Sequence, residues 1–245
     1  MVTEATPKRV KAHRRNGEQI EITEAGLKFA AEALTDKAGP NLRIRRGAII
    51  RVQADDKKRW SITQLPAAES MLISADPRDG AIRAIAGGFD FTRSQFNHAT
   101  QALRQPGSSF KPFVYARALA DSVPPNAIVY DTALTITYDR QSYRPKNSDG
   151  EFLGPLTLRE ALARSRYPVA VQLWQREGAD SVIALARRAG LSTSIAPYPS
   201  SAIGASVVRP LDFVAAYTTF ARLGAPVDPR LITRIDDRDG RTVYA

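Results

Sequence analysis

The sequence contains no cysteine and only two histidines. The first absence excludes disulfides, thiolate metal sites and a cysteine nucleophile, so any catalysis must use another side chain. His13 and His98 are far apart and neither has a second ligand residue near it, so no metal or cofactor is expected. Long hydrophobic runs are missing too, since no window approaches the roughly 18 apolar residues of a membrane span. The start, Met1 to Arg15, is polar and basic and has no apolar stretch like that of a signal peptide. The chain as written is therefore expected to be soluble, with neither signal nor anchor.

What is present is ordinary globular composition: 245 residues, 43% hydrophobic and 24% charged, enough for one or two domains. The formal net charge is +10, and it is uneven, because residues 1–60 hold 14 Lys and Arg against 8 Asp and Glu. Lys8, Arg9, Lys11, Arg14 and Arg15 read either as a footprint for a polyanion or as a solvated, poorly ordered terminus. No aromatic residue interleaves these charges, which weighs against nucleic acid and favours the second reading.

Residues 24–35 follow Thr23 as a candidate N-cap and place Leu27, Ala30, Ala31 and Leu34 on one face, predicting a short amphipathic helix. A small β element with a hairpin at Asp55-Asp56 is expected next. A clearer hairpin flanks Asp76 to Gly80, and the domain boundary is placed just before it, near Pro66. A helix is expected to begin at Ser108. Thr157 and Glu160 form a capping-box pattern, further helices are expected at 169–177, 180–189 and from Pro210 to Leu223, and a last hairpin surrounds Asp239-Gly240. Hairpins mixed with helices argue for an α+β fold.

Ser108-Ser109-Phe110-Lys111 places a hydroxyl and an amine three residues apart, adjacent on one helical face. The start of a helix and burial beside Phe110 and Phe113 both disfavour an ammonium, so Lys111 could be neutral and take the Ser108 proton. With 16 Ser and 8 Lys in the chain, about half of one Ser-x-x-Lys pattern is expected by chance, so the tetrapeptide alone carries little.

Its surroundings carry more. The run Gly87-Gly88-Phe89-Asp90-Phe91, then Phe96 through Tyr115, resembles the segment around the nucleophile of class A penicillin-binding proteins. The resemblance continues through Arg144 to Asn147, Gly154 to Ser165, Gly204 to Val207, Pro210-Leu211 and Ala216-Tyr217. It implies the penicillin-binding protein/serine β-lactamase-like transpeptidase fold over residues 67–245. Residues 20–66 look like part of an OB-like domain, and residues 1–19 are expected to be a basic, disordered terminus.

The resemblance also implies D,D-transpeptidation of peptidoglycan stem peptides ending in D-Ala-D-Ala, with β-lactams as covalent inhibitors, on the periplasmic side of a bacterial inner membrane. Ser108 would be the nucleophile, Lys111 the general base and Ser165 a proton relay, with Asn147 and Tyr167 binding substrate. An anionic wall polymer or membrane surface would be a further partner of the basic part. Two departures stand out. The family's Ser-x-Asn reads Ser165-Arg166-Tyr167 here, and no Lys-Thr-Gly or Lys-Ser-Gly occurs. The second departure leads to the expectation of a truncated or degenerate copy with a partial sheet. The alternatives are a serine β-lactamase or carboxypeptidase, for which no deacylating base is found, and a non-catalytic wall-binding module.

Overall fold

The computed structural model describes residues 1–244, in two compact units, Met1–Ala68 and a second beginning at Glu69. The first unit opens with three antiparallel strands, β1 (Val2–Thr6), β2 (Arg9–His13) and β3 (Gln19–Thr23). This corrects the expectation of a disordered terminus over residues 1–19. The alternation of a half-buried strand lies beneath the charge: Val10 and Ala12 point inward, opposite Ile22 and Ile20, while Arg9 and Lys11 point outward. Arg9 and Lys11 both pair with Glu4 on the neighbouring strand, at 2.6 and 3.5 Å. Summing the charges hid the period of two that makes these residues a strand.

The expected amphipathic helix after Thr23 is instead two short 3-10 segments, Glu24–Ala30 and Glu32–Leu34, which bury Leu27, Ala30 and Leu34. Thr23 makes no side-chain cap bond there. Gly26, a poor helix former, lies so close to the next hairpin that a Cβ on it would be 2.2 Å from the Trp60 carbonyl oxygen. That hairpin is β4 (Arg51–Ala54) paired with β5 (Trp60–Thr63). Its turn is built by the Asp55 carboxylate, which accepts from the Lys57 and Arg59 amides. Backbone bonds from Val2 N to Ala48 O and from Gly47 N to Val2 O tie the approach to β4 back to β1.

The second unit starts with the hairpin of β6 (Leu72–Ala75) and β7 (Ile82–Ala86). Gly80 in its turn has φ 77°, and a Cβ there would be 2.1 Å from the Asp228 carbonyl oxygen, so only glycine fits. The core helix is α1 (Lys111–Ala120), entered through a 3-10 turn at Gly107–Phe110 rather than by an α-helix starting at Ser108. Two small antiparallel pairs follow: β8 (Ile128–Asp131) with the later β11 (Gly154–Thr157), and β9 (Ile136–Tyr138) with β10 (Gln141–Tyr143).

Then come α2 (Leu158–Ala163), α3 (Tyr167–Glu177), α4 (Ala179–Arg188) and α5 (Pro210–Ala221). A final hairpin, β12 (Ile235–Asp236) with β13 (Thr242–Tyr244), surrounds Asp239-Gly240. The Thr157–Glu160 capping box of α2 is fully formed and contributes about 1 kcal/mol. Phe113, with no exposed surface, centres the core, its ring 5.4 to 5.9 Å from those of Phe110, Phe213 and Tyr217 and 5.1 Å from that of Phe220. These rings hold α1 and its entry turn to α5.

Candidate active site

Ser108 sits half-buried in the 3-10 turn before α1. That turn is laced to the segment after α4. Arg104 and Val208 exchange backbone bonds of 3.0 and 2.9 Å, Gln105 Nε2 donates to Ala205 O at 2.8 Å, and Gly107 N donates to Gly204 O at 3.3 Å. Gly204 has φ 77°, and a Cβ on it would lie 2.1 Å from the Gly107 carbonyl oxygen. Tyr217 adds a hydroxyl bond to the Ser109 carbonyl. The sequence Gly204 to Val208 therefore ties down the turn that carries Ser108.

Lys111 is the first residue of α1 and is 1% exposed. Its Nζ donates to the Ser165 carbonyl at 2.6 Å and to Ser165 Oγ at 2.8 Å. Burial, and behind it the nearby Arg166 guanidinium, lowers its pKa from 10.5 to about 7. At neutral pH a large fraction is thus an amine able to accept a proton. Ser165 holds its place with φ 56°, an unusual conformation for serine, in the turn between α2 and α3. The structure brings Ser108, Lys111 and Ser165 to one site, but among the described residues no hydrogen bond joins Ser108 to Lys111. Ser108 Oγ instead donates to the Tyr167 hydroxyl at 3.4 Å, a long bond for two oxygens. The Tyr167 ring covers Lys111, its centroid 3.8 Å from Nζ.

Asn147, expected to bind substrate, is 5% exposed and spends its amide internally. Its Nδ2 donates to both Asp131 carboxylate oxygens and to the Glu151 carbonyl, and its Oδ1 accepts from the Tyr167 amide at 2.8 Å. That last bond satisfies an orphan N–H at the start of α3, where Arg166 gives no side-chain cap. Both polar atoms of the Asn147 side chain are thus engaged within the protein, and its amide holds the start of α3.

Behind it lies a cluster that the sequence reading missed. Asp131 is fully buried and accepts from Asn147 and from the Leu153 amide. Arg166 is 7% exposed and pairs with Asp149 at 2.7 Å and with Asp131 at 3.6 Å. Flanked by Ser165 and Tyr167, Arg166 also donates its Nε to the Arg164 carbonyl at 3.1 Å. An arginine between two residues already singled out was the available signal.

The family model of the penicillin binding protein transpeptidase domain matches residues 71–245. The chain belongs to the penicillin-binding protein transpeptidase family. The model of the penicillin-binding protein OB-like domain matches residues 1–68, including both strands of the supposed disordered terminus. Penicillin-binding protein 1A of Pseudomonas aeruginosa is 38% identical, the match covering 100% of this chain and 31% of that protein. Penicillin-binding protein 1A of Neisseria meningitidis serogroup A is also 38% identical, with 92% of this chain and 29% of that protein covered. The chain thus spans about a third of the length of these relatives. Among solved structures, penicillin-binding protein 1A of Haemophilus influenzae superposes with a TM-score of 0.87 at 30% identity, over 99% of this chain and 35% of that one. A Mycobacterium tuberculosis relative in complex with penicillin V gives 0.64 at 26% identity, over 73% of this chain and 51% of that one.

Within this transpeptidase family unit, among the described residues, no group of three or more His, Asp or Glu is placed to hold a metal ion. Among the described residues, no helix is long and apolar enough to cross a membrane. The site's chemistry is that of a serine, a desolvated lysine and a second serine.

Proposed function

We propose that the chain carries the acylation site of a serine D,D-transpeptidase that cross-links peptidoglycan stem peptides and is trapped by β-lactams. The observation that carries this reading is Lys111, buried, near neutrality and hydrogen-bonded to Ser165, three residues from the Ser108 hydroxyl. Ser108 Oγ bonds to the penultimate D-Ala carbonyl carbon while its proton passes to Lys111 Nζ. As the amide C–N bond breaks, that proton moves from Lys111 through Ser165 Oγ to the departing D-Ala amine. An amine of a neighbouring stem peptide then takes the acyl group from Ser108, losing a proton that restores the serine hydroxyl. A β-lactam follows the first half, its ring C–N bond opening to leave Ser108 acylated. The setting we infer is the periplasmic side of the inner membrane.

For the basic N-terminal unit we infer contact with an anionic wall polymer or membrane surface. Arg9 and Lys11 share Glu4, with Glu21 4.0 Å from Arg9, and Arg14 pairs with Glu18. The contact therefore rests on cations with no ion pair among the described residues, Lys8, Arg15, Lys57 and Lys58 among them.

The test is the pH dependence of labelling by a fluorescent penicillin. The base must lose its proton before it can act, so the labelling rate rises with pH through a midpoint of about 7 and then levels. A rate constant across about pH 5.5 to 8.5 removes Lys111 from the base role.

A further inference from the structure

Nothing in the acyl-transfer step uses the aromatic ring that stands inside the site. Tyr167 is the first residue of α3, and its backbone is pinned by Asn147. Its side chain touches both reacting groups at once, with the hydroxyl against Ser108 Oγ at 3.4 Å and the ring face against Lys111 Nζ at 3.8 Å. A neutral amine that donates both N–H groups to Ser165 has one lone pair left to receive a proton. The face of an aromatic ring is electron-rich, so it attracts an ammonium and gives nothing to a lone pair. In this arrangement the ring favours the protonated lysine, and the hydroxyl of Ser108 is turned toward a phenol instead of toward its base.

We propose that Tyr167 is a gate: its hydroxyl engages Ser108 while its ring covers Lys111, and acylation begins only once that ring has moved aside. This rests on the acyl-transfer reading above. The latch on the serine side is a long hydrogen bond between a half-buried hydroxyl and a phenol, which an entering ligand can displace. The hold on the lysine side is stronger, because the amine is shielded from water and the ring contact is correspondingly firm. Tyr167 thus makes turnover depend on a ligand able to fill the place its ring vacates. That would make the residue a specificity determinant as well as a barrier.

The experiment compares the wild-type chain with Tyr167→Ala, Tyr167→Asn, Tyr167→Phe and Ser108→Ala, in two measurements. In the first, fluorescent penicillin acylation, Tyr167→Ala is roughly 2- to 30-fold faster than wild type, the range a ring contact with an ammonium spans. Tyr167→Phe keeps the ring but releases Ser108 Oγ, so it is faster than wild type by less than Tyr167→Ala is. In the second, the titration of Lys111 is followed by NMR on carbon-13-labelled lysine. Its midpoint shifts in Tyr167→Ala, where the ring contact is lost and water reaches the amine, and is unchanged in Tyr167→Phe.

A Tyr167→Ala rate at or below wild type overturns the gate, as does an unmoved Lys111 midpoint. An acceleration confined to Tyr167→Asn also overturns it, because an added amide rather than a removed ring then explains the gain. Labelling that Ser108→Ala abolishes, with no acceleration in Tyr167→Ala, leaves the acyl-transfer reading standing without the gate. Labelling of no variant removes both.

Discussion

Replacing Lys111 by methionine is expected to make the protein more stable and, at the same time, almost inert toward β-lactams. Lysine that is 1% exposed and held at about 7 instead of 10.5 weakens the fold. The unfolded chain binds a proton on Lys111 that the folded chain refuses at any pH between those values. The penalty is therefore absent above about pH 10.5, grows as pH falls and is constant below about 7, where it reaches about 5 kcal/mol. Methionine loses the two hydrogen bonds to Ser165, each worth about 1 kcal/mol, and fills similar volume without a charge.

The net expectation is a gain of about 2 to 4 kcal/mol at pH 6.5, shrinking as the pH is raised. Acylation falls by about 10² to 10⁴ with loss of the base. Urea denaturation at two pH values and penicillin labelling check both halves. A less stable variant at pH 6.5 would show that the amine is held by its bonds to Ser165 more than it is opposed by burial.

The second large effect lies behind the site. Asp131→Ala leaves the Arg166 guanidinium with Asp149 as its single carboxylate partner and removes an acceptor from the Asn147 side chain and the Leu153 amide. Breaking one side of a buried ionic pair costs about 3 to 5 kcal/mol, because the charge left behind stays in a place poor in water. For a unit of this size that lowers the melting temperature by about 6 to 20 °C. Asn147 then loses the anchor that aims its carbonyl at the Tyr167 amide, so the start of α3 loosens as well. A change below about 1 kcal/mol would mean that Asp149, alone, satisfies Arg166.

Much of the architecture is legible in local sequence because it is built from local rules. The β6–β7 hairpin follows from its turn chemistry, and α2 from a capping box whose two partners are three residues apart. Strands β1 and β2 are harder to see, since the lysines and arginines in and around β2 dominate a charge count while each strand has only two apolar positions. The site divides in the same way. Ser108 and Lys111 are near neighbours in sequence, and a family pattern points to Ser165.

What local spacing cannot show is how residues 54 to 59 positions apart meet. The Tyr167 ring over Lys111, and the Lys111 bonds to Ser165, depend on how α3 crosses α1. The spacing argument predicted contact between Ser108 and Lys111 from an α-helix running through both. The 3-10 turn ends where α1 begins, and the two side chains take different partners.

The most direct test of the central claim is the intact mass of the chain after prolonged incubation with a β-lactam. The account predicts one added drug mass, located by digestion to the tryptic peptide Gln105 to Arg117 and absent from Ser108→Ala. An unmodified mass, or an adduct that persists in Ser108→Ala, would contradict it.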